Sequence, residues 1–195
     1  MTLAVLLRLL LAARTSAARS DEDLFAAYRG GDESAFDDLW RRYEAPLRRY
    51  ARRRVGSVDE LDELVQQTFL HLHRSRRDFR AGALLRPWLY TICLNVCRHH
   101  LRKRRRSGAR IELHDGVTPT VPAHDIVADE DARRVRAALA ELPEHERLVI
   151  ELHWLQGLGF KEVAVVVGAG LSAVKVRAHR GYKRLRVALS EGGAP

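Results

Sequence analysis

Apolar residues recur at helical spacing along most of the chain, and the clearest run lies in residues 59–74. One stripe of this run, spaced three and four residues apart, contains Leu61, Leu64, Val65, Thr68, Phe69 and Leu72. The other side of the run carries Asp62, Glu63, Gln66, Gln67, Leu70 and His73. This segregation predicts a helix that buries one face and leaves the other exposed.

Three more helices are predicted around this one. Ser20 and Asp32 are typical N-caps, and the helices that they begin end at Gly30–Gly31 and at Gly56. A further helix is predicted over residues 87–105, because its first residue is a proline and proline is favoured in the first turn.

Residues 130–195 predict a second group of helices. A helix that ends before Pro143 is followed by one over 144–156, after which two glycines interrupt the pattern. Residues 160–167 and 171–188 are predicted helices on either side of a glycine turn. A short helix, a glycine turn and a longer basic helix are typical of a helix-turn-helix. The predicted fold is therefore all-α, with two small helical domains joined by a flexible linker.

The composition indicates the kind of partner. The 195 residues include 34 lysines and arginines against 25 acids, which gives a net charge of +9. A hydrophobic content of 46% is enough for a packed core. Two cysteines cannot build a disulfide scaffold, so we expect a reducing compartment, the cytoplasm. The basic excess favours a polyanionic partner, with nucleic acid before an anionic membrane.

Changes in charge along the chain predict the domain boundaries. We expect a poorly ordered extension in residues 1–20, a helical domain in 21–106, a linker in 107–129 and a helix-turn-helix domain in 130–190. The linker is net acidic and holds two prolines and two glycines without helical periodicity. Both domains, in contrast, are net basic.

Each domain ends in a basic stretch without acidic residues. Residues 98–106 and 169–190 each hold six lysines or arginines. A solvated helix face usually mixes both signs of charge, so two wholly basic stretches favour two contacts with one polyanion. An arginine-rich surface that reflects only compositional bias is the alternative.

Two motifs indicate small-molecule chemistry but are not favoured. The segment VAVVVGAGLSA fits a strand and the glycine fingerprint of dinucleotide-binding folds, but too few residues follow for the rest of that sheet. Cys93, Cys97 and His100 share a helix face, and His71 and His73 lie on another, whereas zinc needs about four converging ligands. The chain also lacks HExxH, GxSxG and P-loop motifs, so we expect buried thiols, no metal, no cofactor and no catalytic residues.

The apolar residues 3–13 are a candidate membrane or export segment. They make up about half of the roughly 20 residues that a transmembrane helix needs, and Arg8 interrupts them. No lysine or arginine precedes them, and Arg14 and Arg19 lie in the region where a signal peptide would be cleaved. We expect instead a loosely structured or amphipathic extension, or a start codon placed too early.

Taken together, these segments resemble the extracytoplasmic-function (ECF) sigma factors, which are small two-domain transcription initiation factors of bacteria. The first domain matches the order and spacing of this family through GDESAFDDLWRRYEAPLRRYARRRVG, DELVQQTFLHLHR and RPWLYTICLNVCRHHLRKRRR. The second domain matches through LPEHERLVIELHWLQGLGFKEVA and VVVGAGLSAVKVRAHRGYKRLR. The resemblance implies a cytoplasmic protein that binds core RNA polymerase, recognises promoters and opens DNA. A helix-turn-helix regulator that binds operators without polymerase is the alternative.

The resemblance also implies which residues contact each partner. Docking on the coiled coil of the polymerase β′ subunit would use the helix face formed by Glu63, Gln66, Gln67 and Leu70. The alternative is that this face is an ordinary solvated surface without a partner. The −10 element would contact Arg76, Arg80, Asn95, Arg98, His99, Arg102 and Lys103. The −35 element would contact Lys175, Val176, Arg177, His179 and Arg180. Further implied partners are the polymerase β flap and an anti-sigma factor, with no small-molecule substrate.

The sequence departs from the family pattern in both DNA-binding regions. His99 stands where the family commonly has aspartate, and Ala173, Val176 and Ala178 replace the usual threonine, serine and leucine. These differences concern the preferred promoter sequence more than the fold. Trp88 is expected to be a core anchor rather than a platform for base stacking.

Overall fold

The computed structural model describes residues 19–56, 58–80, 82–106 and 126–191, and these ranges contain helices and no strand, so the all-α prediction is confirmed. The helices are α1 (Asp21–Arg29), α2 (Glu33–Val55), α3 (Leu61–Arg74), α4 (Leu85–Arg106), α5 (Ile126–Ala140), α6 (Glu144–Ile150), α7 (Phe160–Val167) and α8 (Leu171–Glu191). A π-helical turn, Glu151–Leu155, continues α6. No described helix combines the length and apolar content that a bilayer crossing requires. The predicted extension, up to residue 18, and linker residues 107–125 lie outside the described ranges.

The predicted helix caps of the first domain are confirmed. The Ser20 hydroxyl accepts a hydrogen bond of 3.0 Å from the backbone N–H of Asp23, and Asp32 accepts one of 3.4 Å from Ala35. These bonds satisfy backbone donors that a helix N-terminus leaves free. Gly56 ends α2 with a φ of 74°, a left-handed conformation that glycine adopts without steric cost.

Three helices start at residues other than the predicted ones. α3 begins two residues late, because residues 59–60 form a turn. α4 begins at Leu85, whose backbone N–H donates a 2.9 Å hydrogen bond to the Glu22 carboxylate. α5 begins at Ile126, so the last four residues of the predicted linker are helical. Its sequence, IVADEDARRVRAALA, contains no glycine or proline that would end a helix.

The core of the first domain forms where α1, α3 and α4 meet α2. All six residues of the predicted α3 stripe are buried, as expected from their spacing. Phe25 is fully buried and packs edge-on against Phe79 and Trp88, with ring centroids 5.0 and 5.7 Å apart. Trp88 therefore packs into the core, and this packing fixes the start of α4 against α1.

The second domain contains the predicted helix-turn-helix in α7 and α8. Residues 163–167 are helical, so the strand that a dinucleotide-binding fold would need is absent from this part of the described chain. Gly168 ends α7 with a φ of 64°, and the backbone N–H of Ala169 donates back to the carbonyl of Ala164 at 3.1 Å. This glycine turn lets α8 leave in a new direction while Val163 and Val174 stay buried.

The two domains contact each other in this structure. α7 packs against α4, and residues of both domains, including Leu89 and Val163, belong to one buried apolar cluster. At the edge of this contact Arg54, near the end of α2, and Glu151, just after α6, form a buried ion pair of 2.5 Å.

Gly181 generates a prediction about stability. It lies in the middle of α8, where a Cβ atom would stand 2.5 Å from Cδ1 of the buried Ile150 on α6. We expect Gly181→Ala to lower the free energy of unfolding by up to about 2 kcal/mol, because an overpacking cost of about 1–3 kcal/mol opposes a gain of about 1 kcal/mol in helix propensity. Urea unfolding followed by circular dichroism measures this difference.

Two controls isolate the cause. Gly170→Ala places a methyl group in open space and should change the unfolding free energy little. Ile150→Val removes the clashing methyl group, so adding it to Gly181→Ala should recover part of the loss. An increase in stability for Gly181→Ala alone would contradict the packing argument.

Candidate functional site

The exposed face of α3 carries the residues predicted to dock on a protein partner. Gln66 and Leu70 face solvent, and Leu70 is 44% exposed. Gln67 is half-buried and donates a 2.8 Å hydrogen bond to Glu63. Glu63, Gln66 and Leu70 are thus exposed on one face, while the side chain of Gln67 is hydrogen-bonded to Glu63.

Leu70 and Gln66 form one wall of a groove between α1, α2 and α3. The other walls come from Tyr28, Phe36 and Trp40, which are half-buried. Their helical spacing predicts that these three aromatic residues lie on inner faces of α1 and α2. Periodicity does not predict how far a neighbouring helix covers such a face. The structure therefore extends the candidate docking surface beyond the predicted residues.

The groove has an acidic rim and one polar pair. Glu33 and Asp37 lie along it. At one end the Tyr28 hydroxyl forms a hydrogen bond with Nδ1 of His73, and burial raises the pKa of that hydroxyl. An apolar groove with acidic edges suits an amphipathic helix that carries basic residues beside its apolar face.

α4 presents a polar face opposite its buried one. Asn95 and the adjacent pair Arg98 and His99 lie one helical turn apart, Arg102 follows one turn later, and all four are exposed, as is Lys103. On the other side Cys93, Leu94, Val96 and Cys97 are buried. The structure therefore brings five of the seven residues predicted for the −10 element onto one helix, with their side chains accessible to a polyanion.

The other two predicted residues follow α3. Arg80 is exposed, whereas Arg76 is half-buried and donates a 2.7 Å hydrogen bond to the carbonyl of His73. This bond fixes the end of α3, so Arg76 has a local structural role as well as its positive charge.

α8, like α4, has one exposed face and one buried face. Lys175, Val176, His179 and Arg180 are exposed, and the side of the helix that faces the domain holds Val174, Ala178 and Gly181. Arg177 is half-buried and is the least accessible of the five residues predicted for the −35 element. Nε of Arg184 lies 3.2 Å from the buried Glu146 carboxylate, so this later cation also ties α8 to α6.

The cysteines and histidines do not form a metal site in the part of the chain that the structure describes. No group of three potential ligands converges there. Cys93 and Cys97 are buried free thiols, and a hydrogen bond between them together with burial raises the pKa of Cys93. Nε2 of His100 lies 2.8 Å from Glu60 instead, which links α4 to the start of α3.

Two family models match the chain in order along the sequence. The model described as sigma-70 region 2 covers residues 39–107, which include α3 and α4. The model described as sigma-70 region 4 covers residues 132–185, which include the helix-turn-helix. The docking residues of α3 and the polar face of α4 fall within the first match, and the exposed residues Lys175, Val176, His179 and Arg180 of α8 fall within the second.

Several relatives match most of the chain, and two of them are 34% identical to it. The RNA polymerase sigma factor CarQ of Myxococcus xanthus is 34% identical over 165 residues, which cover 84% of this chain and 94% of that protein. The ECF RNA polymerase sigma factor SigM of Mycobacterium tuberculosis (strain ATCC 25618 / H37Rv) is 34% identical over 174 residues, which cover 86% of this chain and 83% of that protein.

Solved structures match across both domains. CnrH in complex with the cytosolic domain of CnrY superposes with a TM-score of 0.68 at 28% identity, covering 90% of this chain and 100% of that one. The sigma factor RpoE in complex with the anti-sigma factor NepR from Bartonella quintana superposes with a TM-score of 0.62 at 27% identity, covering 80% and 96% respectively.

Proposed function

Since this chain belongs to the ECF sigma factors of bacterial RNA polymerase, we propose that its three exposed faces divide the work of transcription initiation. The groove of the first domain binds core polymerase, α4 binds the −10 element and α8 binds the −35 element. The observation that carries this assignment is that α4 and α8 each turn a cation-bearing, acid-free face to solvent. Sigma factors initiate transcription without catalysing a reaction themselves, so these faces act by binding, in the cytoplasm where the polymerase works.

The groove between α1, α2 and α3 is the proposed docking site for the coiled coil of the β′ subunit. Leu70 and Trp40 supply apolar area for a helix, and Gln66 supplies a polar contact without a net charge to desolvate. Glu63 and the acidic rim favour basic residues on the partner. A contact of the second domain with the β flap is part of the same proposal and would hold α8 in place over DNA.

The polar face of α4 is the proposed site for the opened −10 strand. Exposing a base costs a few kcal/mol of stacking and pairing, which the protein recovers by holding the flipped base and its phosphates. Asn95 can hydrogen-bond a base edge, while Arg98, Arg102 and Lys103 can neutralise phosphates. His99 would change the base preference relative to an aspartate at that position. Arg76 and Arg80 extend the basic surface towards α3.

α8 is the proposed reader of the −35 element in the major groove. Lys175, Val176 and His179 lie in the first half of the helix, the part of a helix-turn-helix that reaches base edges. Arg180 follows them and would contact a phosphate. Arg177 is half-buried, so we assign it a phosphate contact or a packing role rather than base recognition.

We also propose that an anti-sigma factor binds this chain. The solved neighbour RpoE is in complex with the anti-sigma factor NepR, and CnrH is in complex with the cytosolic domain of CnrY. An operator-binding regulator that works without polymerase is not favoured, because such a regulator would need neither a sigma-70 region 2 nor a docking groove for polymerase.

Polymerase capture tests the groove. Gln66→Ala combined with Leu70→Ala should weaken binding to core polymerase by about tenfold, because two central contacts of a small interface are lost. Val58→Ala is the matched control, since Val58 is also an exposed apolar residue of the first domain, 58% exposed, but lies outside the groove. A titration of labelled protein with core enzyme gives both affinities. Equal affinities for the double variant and the wild type would exclude this docking face.

Promoter binding by the holoenzyme tests α8. Lys175→Ala should weaken binding by roughly 5- to 150-fold on a promoter with an intact −35 element, the range expected when a base contact of about 1–3 kcal/mol is lost. On the same promoter with a scrambled −35 element, the variant and the wild type should bind alike. A loss of equal size on both promoters would assign Lys175 to phosphate rather than to base recognition.

DNA opening tests α4. Asn95→Ala should reduce the fraction of open complexes at the −10 element, measured by the fluorescence of 2-aminopurine placed there, while closed-complex binding changes little.

Arg98→Ala should weaken binding on every promoter and lower the salt dependence of that binding, because one phosphate contact is lost. Arg41→Ala, which removes an exposed arginine on α2, is the control for charge alone. Normal opening by Asn95→Ala would overturn its assignment.

A further inference from the structure

We infer that Glu22 on α1 is a positioning residue for the −10 site, because it holds the start of α4 and the end of the loop that precedes α4. This α3–α4 loop is described at residues 75–80 and 82–84. It carries Arg76 and Arg80, and the inference rests on the proposed function for their role at the −10 element. α1 itself precedes the sigma-70 region 2 match, which begins at residue 39.

The start of α4 has no side chain nearby in sequence that could cap it. The four residues before the helix, 81–84, are AGAL and contain no side-chain oxygen that could accept a hydrogen bond. The first turn of α4 also contains no acidic residue. The first backbone N–H groups of a helix have no partner within the helix. A partner for them therefore comes from another part of the chain or from water.

Glu22 supplies this partner from 63 residues earlier in the chain. Its Oε1 accepts a 2.9 Å hydrogen bond from the backbone N–H of Leu85, the first residue of α4. Leu85 is fully buried. A carboxylate at a helix N-terminus is also attracted by the helix dipole, and its hydrogen bonds are stronger than those of a neutral acceptor. Glu22 therefore fixes the residue at which α4 begins.

The first turn of α1 is anchored on α2, which gives Glu22 a fixed base. Asp21 accepts hydrogen bonds from the Tyr43 hydroxyl and from the Arg42 guanidinium, both on α2. Tyr43 is buried, and this burial together with Asp21 raises the pKa of its hydroxyl, so Tyr43 remains a neutral donor. Two successive acidic residues of α1 thus contact two different helices, Asp21 on α2 and Glu22 on α4.

α1 makes a second contact with the α3–α4 loop. Phe25 lies one turn after Glu22 on the same face of α1. Its ring centroid is 5.0 Å from that of Phe79, which lies in the loop. Phe79 is in turn 5.0 Å from Trp88, near the start of α4. One face of α1 therefore holds the loop at Phe79 and at the residue where the loop passes into α4.

Arg80 lies between these two points. It follows Phe79 directly, and its carbonyl accepts a 3.1 Å hydrogen bond from the N–H of Ala83, two residues before Leu85. Its side chain remains exposed. A cation whose backbone is already fixed loses less conformational entropy when it binds a strand than one on an unanchored loop. Glu22 therefore acts on the −10 site through the position of Arg80.

Strand binding by the holoenzyme tests the inference. Glu22→Ala should weaken the binding of a labelled single-stranded −10 oligonucleotide about fivefold, because the N–H of Leu85 loses its acceptor. Glu22→Gln keeps an acceptor oxygen and should recover most of this loss. Asp23→Ala is the matched control, since it removes the next acid of the same turn, which accepts a 2.8 Å hydrogen bond from Ser20 instead. It should bind like the wild type in the same anisotropy titration.

A double-mutant cycle separates positioning from general damage. If Glu22 acts through Arg80, adding Glu22→Ala to Arg80→Ala should weaken strand binding by less than about twofold further. Arg102 lies near the far end of α4, so adding Glu22→Ala to Arg102→Ala should still cost about fivefold. Affinity for core polymerase and the circular dichroism spectrum should remain those of the wild type. Full multiplication of the losses in both pairs would overturn the inference.

Hydrogen exchange gives a readout that needs no DNA. The amides of residues 82–86 should exchange about threefold faster in Glu22→Ala than in the wild type, and unchanged in Asp23→Ala. Normal strand affinity in Glu22→Ala, with a loss in Arg80→Ala, would overturn the inference and leave the proposed function standing. If neither Arg80→Ala nor Asn95→Ala weakens strand binding, the proposed −10 site fails, and the exchange rates alone decide whether Glu22 holds the loop.

Discussion

A helix that carries many arginines can pack into a core only if all of its unpaired charges lie on one side, and this constraint organises the whole protein. α4 meets it by burying Leu94 and Val96 while Arg98 and Arg102 remain in water. α8 meets it by placing Val174 and Ala178 inward. The apolar residues therefore decide which way the cations point. Packing and nucleic-acid binding are two results of the same arrangement.

Arg54 meets this constraint by pairing. It lies in an arginine-rich stretch at the end of α2 but is buried, because Glu151 of the other domain supplies the opposite charge. A buried ion pair requires a precise geometry, so it selects one arrangement of the domains among the many that apolar packing alone would allow.

The local parts of the structure could be predicted from the sequence, and the long-range parts could not. The α3 stripe and the glycine turn before α8 depend on residues a few positions apart, so their pattern is visible in the chain. The groove beside Trp40 depends on how far α1 and α3 cover α2, which no local spacing records. The pair of Arg54 with Glu151 joins residues far apart in sequence, and nothing near either one identifies the other. Gly181 is similar, since its need for space comes from Ile150 on another helix.

The small residues on the inner side of α8 have an evolutionary consequence. Ala178 and Gly181 set how closely the helix approaches α6, and the residues that face outward contribute nothing to that spacing. Mutations at Lys175, Val176 and His179 can therefore accumulate without a folding penalty. Under the −35 assignment proposed for these residues, duplicated genes with this scaffold can diverge to serve separate regulons, and designers can exchange the outward residues to build orthogonal expression systems in one cell.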